Sequence, residues 1–166
     1  MSYNPLSSLQ STLKNIALVK SRKTFKPIKD DIAKLMLKFD FLKIRGQEFF
    51  EEAEELLQKK KYNLAAFNLE QAFQLWIKYL IGKKIGDWPK THYFSELTPQ
   101  LAKVYEEEKI SEFYRENELF FDSLEDAYFT SRYFPKQFTE NGVKMLLEKV
   151  KEFIKLLEDL TGEKLL

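Results

Sequence analysis

The chain has no cysteine and a single histidine. The first absence removes disulfides, thiolate metal sites and cysteine nucleophiles, and makes a reducing compartment the simpler expectation. The second argues against a metal centre built on histidines and leaves imidazole chemistry to one residue, His92. Glycine and proline are sparse, five each in 166 residues, and no Gly-rich phosphate loop occurs. There is no run of about 18 apolar residues, and the opening MSYNPLSSLQ lacks a basic stretch followed by an apolar one. A cytoplasmic protein with no membrane contact is expected.

Hydrophobic residues make up 44% and charged residues 32% of the chain, the balance of a folded helical protein rather than a disordered one. The length suits one domain with a proper core. Net charge is only +1, but it is unevenly placed. Residues 1 to 45 carry ten Lys/Arg against three Asp, and residues 46 to 166 carry seventeen against twenty-three acids. Such asymmetry implies either an arm for an acidic partner, such as RNA or DNA, or an arm that lies on the protein's own acidic body.

Helical signals run the length of the chain. Asn4 before Pro5 starts a first helix that ends near Lys20, and SRKTFKP forms a basic linker. Residues 1–26 are therefore expected to form an N-terminal extension, and residues 27–166 a bundle. From Pro27 a heptad rhythm (Ile32, Leu35, Phe39, Leu42, Gly46, Phe49, Ala53, Leu56) predicts one helix from Ile28 to Lys60, roughly 45 Å long. Gly46 could instead break this helix, but its place in the repeat favours a close helix crossing, where the absence of a side chain lets another backbone approach. The third helix, Asn63 to Ile81, is apolar round most of its circumference, as a central helix should be. Gly82, Gly86 and Pro89 predict a loop, and a shorter helix follows His92 to about Glu107, with Pro99 near its first turn. A fifth helix is expected from Ser111 to Arg132, stopped by Pro135. Thr139 caps the last, whose stripe of Val143, Leu146, Val150, Phe153, Ile154 and Leu157 ends before Gly162. No segment has the pattern of a strand. An all-α, up-and-down antiparallel bundle follows.

Within this frame a few residues could carry chemistry. Gln71, Gln74 and Lys78 make a polar stripe on the otherwise apolar third helix. Either they line a groove that offers hydrogen-bond donors and a cation to a phosphate or base, or they face solvent at a seam. Arg132 places a planar, permanently charged fork at a helix end, with Tyr128 one turn earlier and Tyr133 beside it for stacking. The alternative is a cation on its own helix's carbonyls. His92, at a loop-to-helix start, is read as structural, capping the helix or holding the loop. Asp122 and Asp126 lie one turn apart, and Glu51, Glu52, Glu54 and Glu55 cluster, but without paired Glu-x-x-His motifs these carboxylates read as solvated. No metal and no cofactor is expected. Aromatics crowd the fifth helix and its end (Phe113, Tyr114, Phe120, Phe121, Tyr128, Phe129, Tyr133, Phe134, Phe138), and a surplus on its outer face favours a homodimer.

The stretch FFEEAEELLQKKKYNLAAFNLEQAFQLWIKYLIG, the loop THYFSELTPQL and the segment AYFTSRYFP together resemble a HEPN domain over roughly residues 40 to 160. The elements that carry the resemblance are Gln71-Ala72, Lys78, Thr91-His92 and Arg132-Tyr133. Two features depart from the family. Phe134 separates Tyr133 from Pro135, and the Arg-then-His pattern of the ribonuclease members is missing, with Gln137, Phe138 and Thr139 where that histidine would stand. The resemblance implies a noncatalytic nucleotide- or RNA-phosphate-binding helical module, companion to a small nucleotidyltransferase in a toxin–antitoxin-like pair, and a homodimer. A metal-independent ribonuclease and a purely structural helical adaptor are the alternatives.

Overall fold

The computed structural model describes Asp31, Lys34, residues 37–135 and residues 137–166. Contacts divide the chain into two units, Met1–Lys38 and Phe39–Leu166. The expected first helix and the basic linker lie outside the described residues, and the helical bundle is the second unit. It consists of α1 (Asp40–Gln58), α2 (Tyr62–Ile85), α3 (Phe94–Tyr105), α4 (Glu108–Glu116), α5 (Glu118–Tyr133) and α6 (Glu140–Thr161), with no strand among the described residues. No described helix is long and apolar enough to cross a membrane.

The single long helix expected from Ile28 to Lys60 is interrupted. Lys38 and Phe39 form a turn, and the Leu42 amide donates to the Phe39 carbonyl only three residues back, at 2.9 Å. Phe39 is buried there, its ring edge-on to Trp88 at 5.6 Å. It also lies against Gly82, where a Cβ would come within 2.8 Å of the ring. Gly82 is thus not the start of a loop, as its sequence suggests, but an interior residue of α2 that makes room for Phe39. Gly46 has the same use in α1. A Cβ there would sit 2.5 Å from Trp76 Nε1, so the missing side chain admits the indole and lets α1 and α2 close on each other, as the heptad pattern predicts.

Three residues, Lys59 to Lys61, turn α1 into α2. Lys61 donates to the Leu56 carbonyl and Lys60 to that of Leu57, while Lys60 takes the left-handed conformation at φ 58°. This is a Schellman ending without glycine. Glu106 repeats it after α3, where the Glu107 amide reaches the Ala102 carbonyl and φ at Glu106 is 57°.

Helix α2 is the centre: α1, α3, α5 and α6 all pack against it. Its Phe73 ring lies 5.1 Å from Phe94 of α3, 6.0 and 5.9 Å from Phe120 and Phe121 of α5, and 5.3 Å from Phe153 of α6. Each such fully buried side chain contributes about 1.5 to 3 kcal/mol by removal from water. The expected fifth helix is two helices, because Asn117 breaks it. Its side-chain amide donates to the Phe113 carbonyl at 2.9 Å, and its backbone amide donates to Tyr114 three residues back. Both contacts compete with helical continuation. Helix α5 stops at Tyr133, with extended Phe134 before Pro135. Thr139 caps α6 by accepting from the Gly142 amide at 3.1 Å. Pro99 lies in the second turn of α3 rather than its first, on the exposed side.

Candidate functional site

Helix α2 is almost wholly buried, so every polar side chain on it must find a partner inside the bundle. For Glu70, Gln71, Gln74 and Lys78 the partners are found on α2 itself. Glu70, with no solvent exposure, accepts from Gln74 Nε2 at 2.8 Å and from Gln71 Nε2 at 2.6 Å. Gln74 Oε1 in turn accepts from Lys78 Nζ at 2.8 Å. The four-residue step repeats from Glu70 to Gln74 to Lys78, one turn of helix each time. Gln74 and Lys78 are buried and Gln71 is half-buried, so the stripe does not face solvent at a seam. Gln71, Gln74 and Lys78 each give one hydrogen bond within the row.

The electrostatics follow from that burial. Loss of water pushes the Glu70 carboxyl up from 4.5 to about 7, against the pull of the Gln71 and Gln74 amides and the positive charges of Lys78 and Arg132. Burial also lowers Lys78, which Glu70 partly restores and Lys90 depresses further. Neither group is paired directly with an opposite charge.

Arg132 occupies the last turn of α5. Its Nε donates to the Tyr128 carbonyl at 2.9 Å, the contact that the helix-end alternative anticipates. The rest of the guanidinium is spread over rings. Cζ lies 4.1 Å from the centroid of Tyr128, 5.1 Å from Tyr133 and 5.3 Å from Phe67 of α2. Phe67 is itself stacked on Tyr128 at 6.4 Å and 28°. Arg132, Tyr133 and Phe134 are exposed, so the fork's outer N–H groups face water beside two aromatic side chains. Of the expected site residues, the structure brings Arg132, Tyr128 and Tyr133 into one cluster. Lys78 stands apart from it: eleven residues along α2 from Phe67, it is about 16 Å away along the axis.

His92 joins the cluster without capping α3. The first amide of that helix, Phe94, instead meets the Glu125 carboxylate of α5. The imidazole lies between Tyr93 at 4.1 Å and Tyr128 at 5.0 Å, nearly parallel to the latter at 20°, and so holds the loop before α3 against α5. Its Nε2 is buried and without a partner.

Glu70 and Phe67 are the site residues that sequence reasoning missed. A signal existed for Glu70: it is one turn before Gln74 on a helix apolar nearly all round, where a carboxylate has nowhere to reach water. Nothing local pointed to Phe67, whose place under Arg132 depends on how α5 crosses α2. Asp122 and Asp126 lie on the exposed side of α5, and Glu54 and Glu55 form ion pairs with Lys151 and Lys59 at 2.7 and 2.8 Å. Among the described residues no group of three or more His, Asp or Glu side chains could hold a metal ion.

No curated protein and no solved structure matches the chain. A family model, HEPN domain, matches residues 39–160. That span begins at the first residue of the compact unit and ends within its last helix, so it covers the whole bundle, including the α2 row and Arg132. The chain belongs to the HEPN family, a group of nucleotide-binding and ribonuclease-type helical modules.

Proposed function

We propose that this chain is a noncatalytic HEPN module that holds a nucleotide or an RNA phosphate at Arg132. The observation that carries the proposal is the state of that guanidinium. Among the described residues only Nε is used in a hydrogen bond, three rings lie against the guanidinium, and Arg132 is exposed to solvent with Tyr133. A planar fork held in this way suits bidentate contact with phosphate, and neighbouring rings suit stacking against a base. In keeping with its family, the module would act as a homodimer and as the companion of a small nucleotidyltransferase in a toxin–antitoxin-like pair.

What surrounds Arg132 supports the noncatalytic reading. Gln137, Phe138 and Thr139 offer no group that exchanges a proton near neutral pH. Glu70 has no exposure to substrate, and His92 Nε2 is covered. Acid–base assistance supplies about a hundred- to ten-thousand-fold in rate, so RNA held here should be cleaved slowly or not at all.

The test compares wild type with Arg132→Ala and Arg132→Lys. Losing hydrogen bonds from a charged donor costs about 1.5 to 3 kcal/mol, so the alanine variant should bind nucleotide or RNA roughly ten- to a hundred-fold more weakly. Lysine should lose less, keeping the charge without the fork. Rapid RNA cleavage that vanishes in Arg132→Ala would instead establish the ribonuclease. Unchanged binding in both variants would leave Arg132 as a helix-end cation, and no binding by the wild type would favour the adaptor.

A further inference from the structure

Glu70 has no part in the contacts proposed for the ligand, yet it is placed between the two cations of the region. Phe67, which lies under Arg132, is one turn before it on α2, and Lys78 is two turns after it. Its two oxygens meet glutamine amides, not a cation. The charges that act on it are Lys78 from its own helix and Arg132 from α5; α1, α3 and α6, which also pack on α2, bring none among the described residues.

We propose that Glu70 is the proton-linked counter-charge of the Arg132 site, so that a phosphate-bearing ligand binds there together with a proton from solvent, taken up by the Glu70 carboxylate. This rests on Arg132 as a phosphate site. Ionised, Glu70 offsets part of the positive potential that draws an anion to Arg132. A bound phosphate places a second negative charge near a carboxylate that is already out of water and has no direct cationic partner, and like charges in such surroundings disfavour ionisation. Protonation removes the conflict. Gln71 accommodates either state, since its amide donates through its NH2 to a carboxylate and, turned over, accepts through its oxygen from a carboxylic acid, while Gln74 stays oriented by the Lys78 ammonium on its own oxygen. A lysine or arginine in their place would hold Glu70 ionised. Burial already brings the carboxyl to about 7, so the exchange falls in the neutral range.

The probe is a short single-stranded oligoribonucleotide without terminal phosphates, whose diesters keep their charge throughout the range used and contribute no proton. Calorimetric titration of the full chain in two buffers of different ionisation enthalpy counts the protons taken up. Uptake should approach one at about pH 8, and affinity should fall by up to about fivefold between pH 7 and pH 8. Glu70→Gln should show no uptake, a flat affinity and tighter binding than wild type at the higher pH. Carbon-13 NMR of the glutamate carboxyls in the wild-type chain needs no variant, and should show the Glu70 titration move up when the probe is added. Binding that requires Arg132 but takes up no proton, or uptake that disappears in His92→Gln and not in Glu70→Gln, would overturn this role and leave the Arg132 site standing. Absence of binding at every pH would remove the Arg132 site and Glu70's role with it.

Discussion

At the scale of single residues, Glu70 links stability to pH. Burial raises its carboxyl to about 7 in the folded protein, whereas an unfolded chain titrates near 4.5. Between those values the folded state binds more protons than the unfolded one. The stability this residue contributes is therefore greatest below about pH 4.5, falls as pH rises through the window and is level above about pH 7. The gap between the two values corresponds to about 3 kcal/mol. Glu70→Gln keeps shape and hydrogen-bonding capacity without the charge. Relative to wild type it should gain stability progressively from about pH 5 to pH 7.5, by up to about 3 kcal/mol. Urea denaturation of both proteins across that range checks it, because other carboxylates titrate alike in the two and cancel. A constant difference would mean that Glu70 is not proton-linked to folding. Arg132 differs in kind: exposed at the end of α5, its loss should show in binding and little in stability.

At the scale of elements, the α1–α2 hairpin is the part most sensitive to volume. The Trp76 indole that fills the gap at Gly46 is fully buried. Gly46→Ala improves intrinsic helix propensity by about 1 kcal/mol. It also forces a methyl group to 2.5 Å from the indole, a contact that real side chains do not make. Overpacking of this sort costs about 1 to 3 kcal/mol, so the variant should be less stable than wild type despite the better helix former. A lower denaturant midpoint with an unchanged slope is the expected result. If Gly46→Ala were more stable, α1 and α2 would have to lie further apart than described. The half-buried Gly142 of α6 makes an instructive contrast, since only the Thr139 hydroxyl lies near a Cβ added there, at 3.2 Å.

For the whole molecule, the crowd of aromatics around α4 and α5 resolves into two sets. Phe113, Phe120 and Phe121 are buried against Phe73 and Phe153 and need no partner chain. Phe129, Tyr133 and Phe134 remain exposed, as does the aliphatic Leu119. The case for a homodimer thus rests on a smaller surface than the composition of the segment suggests, and on the family. Light scattering at micromolar concentration should return the mass of two chains, and a strictly monomeric mass would remove any groove shared between protomers.

Periodicity and punctuation in the sequence were enough to determine an all-helical bundle, the central place of α2, the stop at Pro135, the Thr139 cap and the close crossing at Gly46. These follow from local rules: which face is apolar, where proline bars a helix, where a side chain can reach an amide. Gln71, Gln74, Lys78, Tyr128, Arg132 and Tyr133 were likewise legible as residues worth attention. Only the tertiary structure decided which of them meet. It set Arg132 on Tyr128 and Phe67, placed Lys78 about 16 Å along the helix from that cluster, and closed the polar row upon the unforeseen Glu70. It also broke two expected helices, at Lys38–Phe39 and at Asn117, and carried α2 on through Gly82. In each case the outcome depended on a partner distant in sequence or on a competing side-chain contact: a ring that needed burial, an amide that found a nearer carbonyl, a carboxylate with no route to water. Local spacing places residues on a helix face, but it leaves open which other helix covers that face, and that covering determines burial, charge and access to a ligand.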